Sequence, residues 1–507
     1  MNVGNERTKS IWADTAVAPS AVPLGHDIEA DTVVIGSGIA GLSTAYELCE
    51  QGQRVVVLDR GAIGTGMTAR TTAHLASISD DGFDTLIDIR GEENARLFYQ
   101  SHSASIERIE AIQERLGIAC DFKRVQGLLF PKVGGKASEL DVHMKAAKQL
   151  GVKVTDSQGL PFKGQENTRY LSYADQARFH PLAYLRGLAE AIQKNNGQLY
   201  ASTAVTSTEE NDHGVVVGTE DGRRVRARFA VVATNSPVNN IVAIHTKEAP
   251  YRTYAMAFLI PRDTLPDQLY WDTADPYHYV RLSPGTGTTD YLIVGGADHK
   301  TGEADDGNVR FESLEAWTRN LVPNLGRETH RWSGQVLEPV DHSAFIGRNP
   351  GSEKVFVVTG DSGQGITHGV VASLLISDLI SKGSSPWSEL YDPNRITASS
   401  IKTFVAENVT TLKQFAEYLA PGELNSFDEL KPGHGAIVRS GLQKVAAYRA
   451  EDGTLLKCSA KCTHVGCHIH WNSLETCWDC PCHGSQFAPG GDVLNAPAIS
   501  ALEKLRD

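Results

Sequence analysis

Two cysteine–histidine pairs near the end of this 507-residue chain constrain its fold more than any other feature. Six of the eight cysteines lie in the last fifty residues, where Cys462 and His464 form a Cys-x-His pair and Cys480 and His483 a Cys-x-x-His pair. Two thiolates on one iron and two imidazoles on the other suit a [2Fe–2S] cluster, whose reduction potential the neutral imidazoles raise. The alternative is a structural zinc site, because two cysteines and two histidines also suit tetrahedral Zn²⁺.

These pairs resemble the ligand motifs of a Rieske domain. A second pair of cysteines, Cys467 and Cys482, lies five and two residues beyond the cysteine ligands. The resemblance is therefore closer to the cytochrome bc-type Rieske proteins than to the Rieske oxygenases. It implies that the second pair forms a disulfide between the two ligand loops and that the first two pairs hold the iron. A zinc site would leave the second pair without a role.

A second cofactor signature lies near the N-terminus. Residues 31–35 form an apolar run typical of a buried parallel strand, and the loop Gly36-Ser37-Gly38-Ile39-Ala40-Gly41 then opens a helix predicted over 42–51. In a dinucleotide-binding fold such glycines allow a tight turn and a close approach to the pyrophosphate, which the helix N-terminus binds. The next strand, 54–58, ends at Asp59, which is placed to bind ribose hydroxyls. The alternative is an unrelated strand–helix loop with the same glycine spacing.

Three later segments favour FAD over NAD. The loop 64–74, the strand 228–235 with its Ala-Thr end and the glycine turn in 355–367 resemble, in that order, segments of the D-amino-acid oxidase and glycine oxidase superfamily. The resemblance spans about residues 31–380 and implies an FAD site. Beyond the loop at residues 36–41, the residues that it assigns to FAD are Asp59, Arg60, Thr68, Thr72, His74, Val205, Thr234, Gly360, Gly363, Gly365, Ile366 and Thr367.

Four residues are candidates for catalysis: His74, Arg252, Tyr254 and Arg281. The position of His74 matches a histidine that is linked covalently to the flavin in dimethylglycine and sarcosine dehydrogenases; the alternative is that it only hydrogen-bonds near the isoalloxazine. The other three lie in segments expected to form a sheet over the flavin. An arginine there could clamp a substrate carboxylate bidentately; the alternative is a structural arginine at the edge of the core.

Composition limits the partners and the compartment. A net charge of −13 argues against binding to nucleic acids or anionic membrane surfaces. No run of eighteen apolar residues occurs, so no membrane span is expected. The N-terminal segment, with Pro19 and Pro23, is a poor signal peptide. We therefore expect a cytoplasmic protein, in which one disulfide would be unusual.

The motifs predict four regions: an N-terminal arm (1–30), an FAD-dependent oxidoreductase domain (31–385), a linker (386–424) with a connecting helix over 401–419, and a Rieske domain (425–507). The expected fold class is an α/β FAD-binding domain of the glutathione-reductase-like Rossmann type with an interleaved α+β substrate domain. An all-β Rieske domain follows at the C-terminal end.

The chain shows one dinucleotide motif, whereas flavoproteins that take electrons from NAD(P)H usually carry two. We therefore predict an FAD-dependent dehydrogenase that oxidises a small organic substrate by hydride transfer, at a C–N bond of an amine or amino acid. The electrons would pass singly to the Rieske [2Fe–2S] cluster and then to an external one-electron acceptor. The alternatives are an electron-transfer or redox-sensing module without a small-molecule substrate, and a component of an oxygenase system, which would need a further mononuclear iron site.

Overall fold

The computed structural model describes residues 6–238, 242–322, 324–396, 422–441 and 443–505. The connecting helix predicted over 401–419 lies outside the described residues. In chain order, the strands up to residue 359 are β1 (Ile28–Ile35), β2 (Val55–Leu58), β3 (His74–Leu75), β4 (Lys123–Phe130), β5 (Val154–Gln158), β6 (Arg169–Arg178), β7 (Gln198–Tyr200), β8 (Val205–Asn211), β9 (Gly214–Thr219), β10 (Arg224–Val232), β11 (Glu248–Pro261), β12 (Leu269–Asp272), β13 (Tyr279–Ser283), β14 (Thr289–Lys300), β15 (Glu328–Pro339), β16 (Phe345–Arg348) and β17 (Val355–Thr359).

Nine α-helices lie within the described residues. They are α1 (Ile39–Glu50), α2 (Phe83–Arg90), α3 (Glu92–Leu116), α4 (Leu140–Leu150), α5 (Pro181–Lys194), α6 (Val242–His245), α7 (Gly307–Leu321), α8 (Gly365–Lys382) and α9 (Ser388–Tyr391). No helix of the described ranges combines the length and apolar character needed to cross a bilayer.

The first sheet has the topology of a dinucleotide-binding fold. Its order is β16-β17-β10-β1-β2-β7, and β1 runs parallel to both β2 and β10. The central strand β1 is buried along Val33, Val34 and Ile35, as expected where both faces of a parallel sheet are covered. The strand–loop–helix–strand unit predicted from residues 31–59 is present, although β1 begins earlier, at Ile28.

The second sheet lies over the cofactor site. Its order is β15-β11-β14-β13-β12-β4-β6-β3, with β5 paired to β6. Arg252 and Tyr254, which the sequence placed in this sheet, lie on β11, and Arg281 lies on β13. Successive side chains of a strand point to opposite faces of the sheet, so alternate residues of β11 face the cofactor site.

The C-terminal region is an all-β Rieske fold of two small sheets, and the expected fold class is confirmed. Its strands are β18 (His434–Ser440), β19 (Gln443–Arg449), β20 (Leu455–Ser459), β21 (His470–Asn472), β22 (Cys477–Asp479), β23 (Gln486–Phe487) and β24 (Val493–Asn495). β18, β19 and β20 form one sheet, and β21 to β24 form the other. Trp471, Trp478 and Phe487 pack in the core between them.

The segment before β1 is packed into the protein rather than extended away from it. Trp12 belongs to the main hydrophobic core, and its indole N–H donates to the carbonyl of Thr71 (2.8 Å). The guanidinium of Arg281 lies 5.5 Å from the centre of the Trp12 ring. This segment therefore supports Thr71, which lines the cofactor site, from behind.

Candidate active site and iron–sulfur centre

A cavity of about 600 Å³ opens at the carboxyl ends of the parallel strands. All residues predicted to bind FAD line it except Gly41, His74 and Thr367. Gly41 is needed for close packing, because a Cβ there would lie 1.9 Å from the carbonyl oxygen of Gly36. The Thr367 hydroxyl donates to the carbonyl of Gln364 within the first turn of α8 (3.0 Å).

The loop at residues 36–41 forms a cradle that a side chain would fill. Gly36 has a φ of +101°, and a Cβ there would lie 2.3 Å from the carbonyl oxygen of Ala233. The Asp59 carboxylate accepts a hydrogen bond from the backbone N–H of Ser37 (2.9 Å), which fixes the loop at residues 36–41 beside the cavity. This arrangement fits FAD, whose pyrophosphate the N-terminus of α1 would bind.

His74 lies behind the cavity wall. Its ring packs edge-on against Tyr279, with 5.3 Å between ring centroids, and its Nδ1 is 3.3 Å from the Thr72 hydroxyl. Burial, with the charge of Arg281, lowers the pKa of His74 to about 3. A neutral imidazole is thus held next to residues that line the cavity, and covalent attachment of FAD to it stays a prediction.

The other three catalytic candidates do not reach the cavity, which corrects the predicted carboxylate clamp. Arg252 is 1% exposed and donates to the hydroxyl of Ser333 (2.6 Å). Arg281 is fully buried and donates to the carbonyls of Ala73 and Phe179. Tyr254 packs in the core on the far face of β11. The alternation along β11 explains the error, since residues next to Arg252 and Tyr254 face the cavity instead.

The sequence missed several cavity residues. Thr253 and Ala255 on β11 line the cavity, and so do residues of the Rieske domain between Asp492 and Ala501. Tyr279 on β13 also lines it, and the sequence does place Tyr279 in the sheet expected over the flavin. The period-2 pattern of β11 identifies Thr253 and Ala255 as sharing one face, but nothing local shows which face meets the flavin. The Rieske residues carried no signal for this role.

The four predicted iron ligands come together at the tips of two loops, after β20 and after β22. The rings of His464 and His483 are 5.0 Å apart, and the Nδ1 atom of each is buried without a hydrogen-bond partner in the described chain. Cys462 and Cys480 are buried and share a hydrogen bond, which lowers the pKa of Cys462 and raises that of Cys480. Two thiols and two unpaired imidazole nitrogens are the donor set of a Rieske cluster.

The predicted disulfide is present and leaves these donors free. Cys467 and Cys482 are bonded to each other, which ties the two ligand loops together. Their sulfurs are therefore not available as thiolate ligands. This arrangement favours the cluster over a zinc site, in which the bridge would have no role.

A buried set of charges joins the Rieske domain to the flavoprotein; we call it the junction network. Its members are Glu6, Arg70, Arg252, Glu475 and Asp479, whose side chains are at most 5% exposed. Arg70 contacts Glu6 (3.0 Å) and Glu475 (3.3 Å), and Arg252 contacts Asp479 (3.3 Å). Although burial opposes it, the charges of Arg70 and Arg252 lower the pKa of Glu475 to about 2.

The loop that carries His483 also docks directly beside the cavity. The Gln335 side chain lines the cavity, and its Nε2 donates to the carbonyl of Gly484 (3.0 Å). A Cβ at Gly484 would lie 2.5 Å from this nitrogen, so only glycine permits the contact. The histidine-bearing loop is therefore held against the cofactor site.

Two family models match the chain, and together they cover most of it. The FAD dependent oxidoreductase family matches residues 31–379, and the Rieske [2Fe-2S] domain matches residues 423–506. A Bacillus subtilis (strain 168) protein described as a Rieske 2Fe-2S iron-sulfur protein is 29% identical over 507 residues, which are 99% of this chain and 98% of that protein.

Other relatives match the flavoprotein region. Gamma-glutamylputrescine oxidoreductase of Escherichia coli (strain K12) is 27% identical over 398 residues, 74% of this chain and 89% of that protein. The crystal structure of glycine oxidase from Geobacillus kaustophilus superposes with a TM-score of 0.60 at 18% identity, covering 73% of this chain and 99% of that one, and shows the same fold. The chain therefore belongs to the FAD dependent oxidoreductase family and carries, in addition to this FAD enzyme domain, a Rieske [2Fe–2S] domain.

Proposed function

We propose that this chain is a dehydrogenase of a small cationic amine, which delivers electrons through the Rieske centre to an external one-electron acceptor. One observation carries the choice of substrate: among the described residues, the arginines that line the cavity are already engaged. Arg60 donates to the carbonyl of Leu494, and Arg70 belongs to the junction network. A substrate carboxylate would find no free guanidinium there.

Thr253 and Tyr279, which carry hydroxyls, line the cavity instead, and the carboxylate of Asp298 lies behind Thr253. The Thr253 hydroxyl lies 3.3 Å from that of Tyr279 and also hydrogen-bonds Asp298. Asp298 Oδ1 is buried and accepts no hydrogen bond from the described residues. Beside the glycine turn before α8, the Tyr277 hydroxyl donates to Asp80 (2.8 Å). The unpaired carboxylate oxygen of Asp298, behind the cavity wall, favours a positively charged substrate.

The same residues supply the acid–base chemistry that amine oxidation requires. Burial raises the pKa of Asp298 to about 6, close to the value suited to proton transfer at neutral pH. We infer that Asp298 draws in the ammonium and takes up its proton, and that the hydroxyls of Thr253 and Tyr279 orient the resulting amine. Bound FAD supplies the two-electron acceptor for the C–H bond next to nitrogen, and the cluster supplies one-electron chemistry. A relative named for gamma-glutamylputrescine, an amine derivative, supports this substrate class.

The test is anaerobic bleaching of the flavin in the purified holoprotein. Matched pairs are compared, each pair consisting of an aliphatic mono- or diamine and the α-amino acid with the same carbon skeleton. We expect the amines to bleach the flavin and the α-amino acids to do so far more slowly. A preference for the amino acids would contradict the cationic substrate. Failure of every compound, in protein whose flavin dithionite still reduces, would favour a redox module without a small-molecule substrate.

A substitution tests the role of Asp298. Asp298→Asn should raise the KM of the best amine by about tenfold or more, since it removes a charge-assisted hydrogen bond worth about 1.5–3 kcal/mol. Asp290→Asn is the matched control, because Asp290 lies at the other end of β14 and pairs with the exposed Arg262. Equal KM values for the two variants would exclude Asp298 from substrate binding.

A further inference from the structure

His245 lies between the flavoprotein and the two imidazoles that the Rieske domain offers to iron. It ends α6 and is 1% exposed. Its ring stands edge-on to that of His464, with 5.0 Å between centroids, and 6.2 Å from that of His483. His245 belongs to the flavoprotein, so the histidine edge of the cluster site faces the FAD domain.

The opposite side of His245 leads to the cofactor cavity. Its Nδ1 lies 3.7 Å from a carboxylate oxygen of Glu248, and this carboxylate accepts a hydrogen bond from the Thr359 hydroxyl (3.1 Å). Thr359 and Gly360 line the FAD cavity, and a Cβ at Gly360 would lie 3.2 Å from Glu248. A chain of three side chains therefore connects the cavity wall to the iron-binding histidines.

Packing alone does not account for a histidine at this place. Neither ring nitrogen of His245 makes a hydrogen bond within the described part of the chain. Burying polar atoms without partners is costly, and a phenylalanine would fill the same space without that cost. A buried histidine that makes no hydrogen bond and packs against two predicted iron ligands indicates a role at the cluster, because groups behind the ligands orient them and tune the metal.

We propose that His245 is a positioning residue that couples the histidine edge of the cluster to the flavin cavity. The inference rests on the proposed electron relay. Reduced FAD held in the cavity would supply electrons one at a time, and a cluster held by His464 and His483 would accept them. Over a full cycle the amine loses two electrons and two protons, two molecules of a one-electron acceptor take up one electron each, and the protons leave to solvent. His245 holds the rings of His464 and His483 in contact with the flavoprotein while this occurs.

The experiment uses the full-length holoprotein and does not depend on the substrate. Light reduces the flavin in the presence of EDTA, and freeze-quench EPR follows the appearance of the reduced cluster. We expect His245→Phe to slow cluster reduction by about 10- to 100-fold, the usual effect of losing a partner of a metal ligand. His245→Gln, which keeps a polar side chain, should be slowed less. The rate of flavin photoreduction should not change.

The matched control is His102→Phe. His102 is also fully buried with an unpaired Nε2, but it stacks on Phe98 at 3.9 Å and does not contact the iron ligands. Rates are expressed per loaded cluster, counted by EPR spin, so partial loss of cluster in one variant does not hide the result. The midpoint potential of each variant is measured as well, which separates a loss of coupling from a change in driving force.

Three results would overturn the proposal. In the first, both His245 variants reduce the cluster at a rate within about twofold of the wild type. In the second, the shift in midpoint potential fully explains the slowing, and in the third, photoreduced flavin does not reduce the cluster even in the wild type. Because no amine is used, failure of the amine panel would refute the proposed substrate and leave this test intact.

Discussion

Removal of Arg252 from the junction network should destabilise the docked Rieske domain strongly. Below about pH 7 the network is balanced, because Arg70 and Arg252 face the carboxylates of Glu475 and Asp479 while Glu6, whose pKa burial raises to about 7, is protonated. Arg252→Met would leave buried carboxylates with one guanidinium instead of two. Such a loss costs about 3–5 kcal/mol, because the remaining charge is both desolvated and unpaired.

The contacts support the upper part of that range. Arg252 donates to the Ser333 hydroxyl at 2.6 Å and lies 3.3 Å from both carboxylate oxygens of Asp479. Hydrogen bonds that involve a charged group contribute about 1.5–3 kcal/mol each. After the substitution, Asp479 still accepts a hydrogen bond from the side-chain amide of Asn472 (2.8 Å). The loss in the free energy of unfolding should therefore not exceed about 5 kcal/mol.

The assay is urea unfolding followed through the visible circular dichroism of the cluster. The double variant Arg252→Met/Asp479→Leu should recover part of the loss, with a coupling energy of about 0.5–3 kcal/mol, because it removes both charges. Arg96→Ala is the control, since Arg96 forms an exposed pair with Glu92 on α3 and should cost less than about 1 kcal/mol. If Arg252→Met cost no more than this control, the junction network would not be what holds the Rieske domain in place.

Three further predictions concern the junction and the cluster. The raised pKa of Glu6, from 4.5 to about 7, means that the folded chain holds a proton that the unfolded chain releases. The stability from this proton is fully present below about pH 4.5 and is lost as the pH rises through about 7, so Glu6→Gln should flatten the pH dependence of urea unfolding over that interval. The Ser485 hydroxyl donates a hydrogen bond to the sulfur of Cys462. Ser485→Ala should therefore lower the midpoint potential of the cluster by about 40 mV, the equivalent of about 1 kcal/mol, in an EPR-monitored titration. An unchanged potential would show that this hydrogen bond does not tune the cluster. Gly484 has a φ of +78°, and a Cβ there would meet the side-chain amide of Gln335 on β15. Gly484→Ala should therefore weaken docking of the Rieske domain by about 1–3 kcal/mol in the same unfolding assay. Gly490→Ala is the control and should have no such effect, because a Cβ at Gly490 would have no contact closer than 3.9 Å.

The sequence predicted both cofactors correctly because each depends on short-range motifs. Gly36, Gly38 and Gly41 lie in one loop, and a strand, a turn and a helix in that order leave few alternatives to a dinucleotide fold. Each pair of iron-site residues also lies within a single loop. For such motifs, residues that are close together along the chain are also close together in the folded structure.

The roles assigned to single side chains failed where they depended on distant parts of the chain. Arg252 lies on the predicted strand, but its partner Asp479 is 227 residues away, in the other domain. Thr253, its neighbour, faces the cavity because alternation along β11 places the two on opposite sides of the sheet. A strand sequence carries this alternation but not the choice of which face meets the cofactor.

By itself, the sequence determined the chemistry of this protein: an FAD fold, a Rieske domain and the cysteines that bridge its loops. Only the tertiary structure decided how the two domains meet, with His245 against the two predicted iron-binding histidines and a buried set of charges at the junction. The physical reason is that ligand motifs are encoded by residues a few positions apart, whereas domain contacts arise from packing between segments hundreds of residues apart.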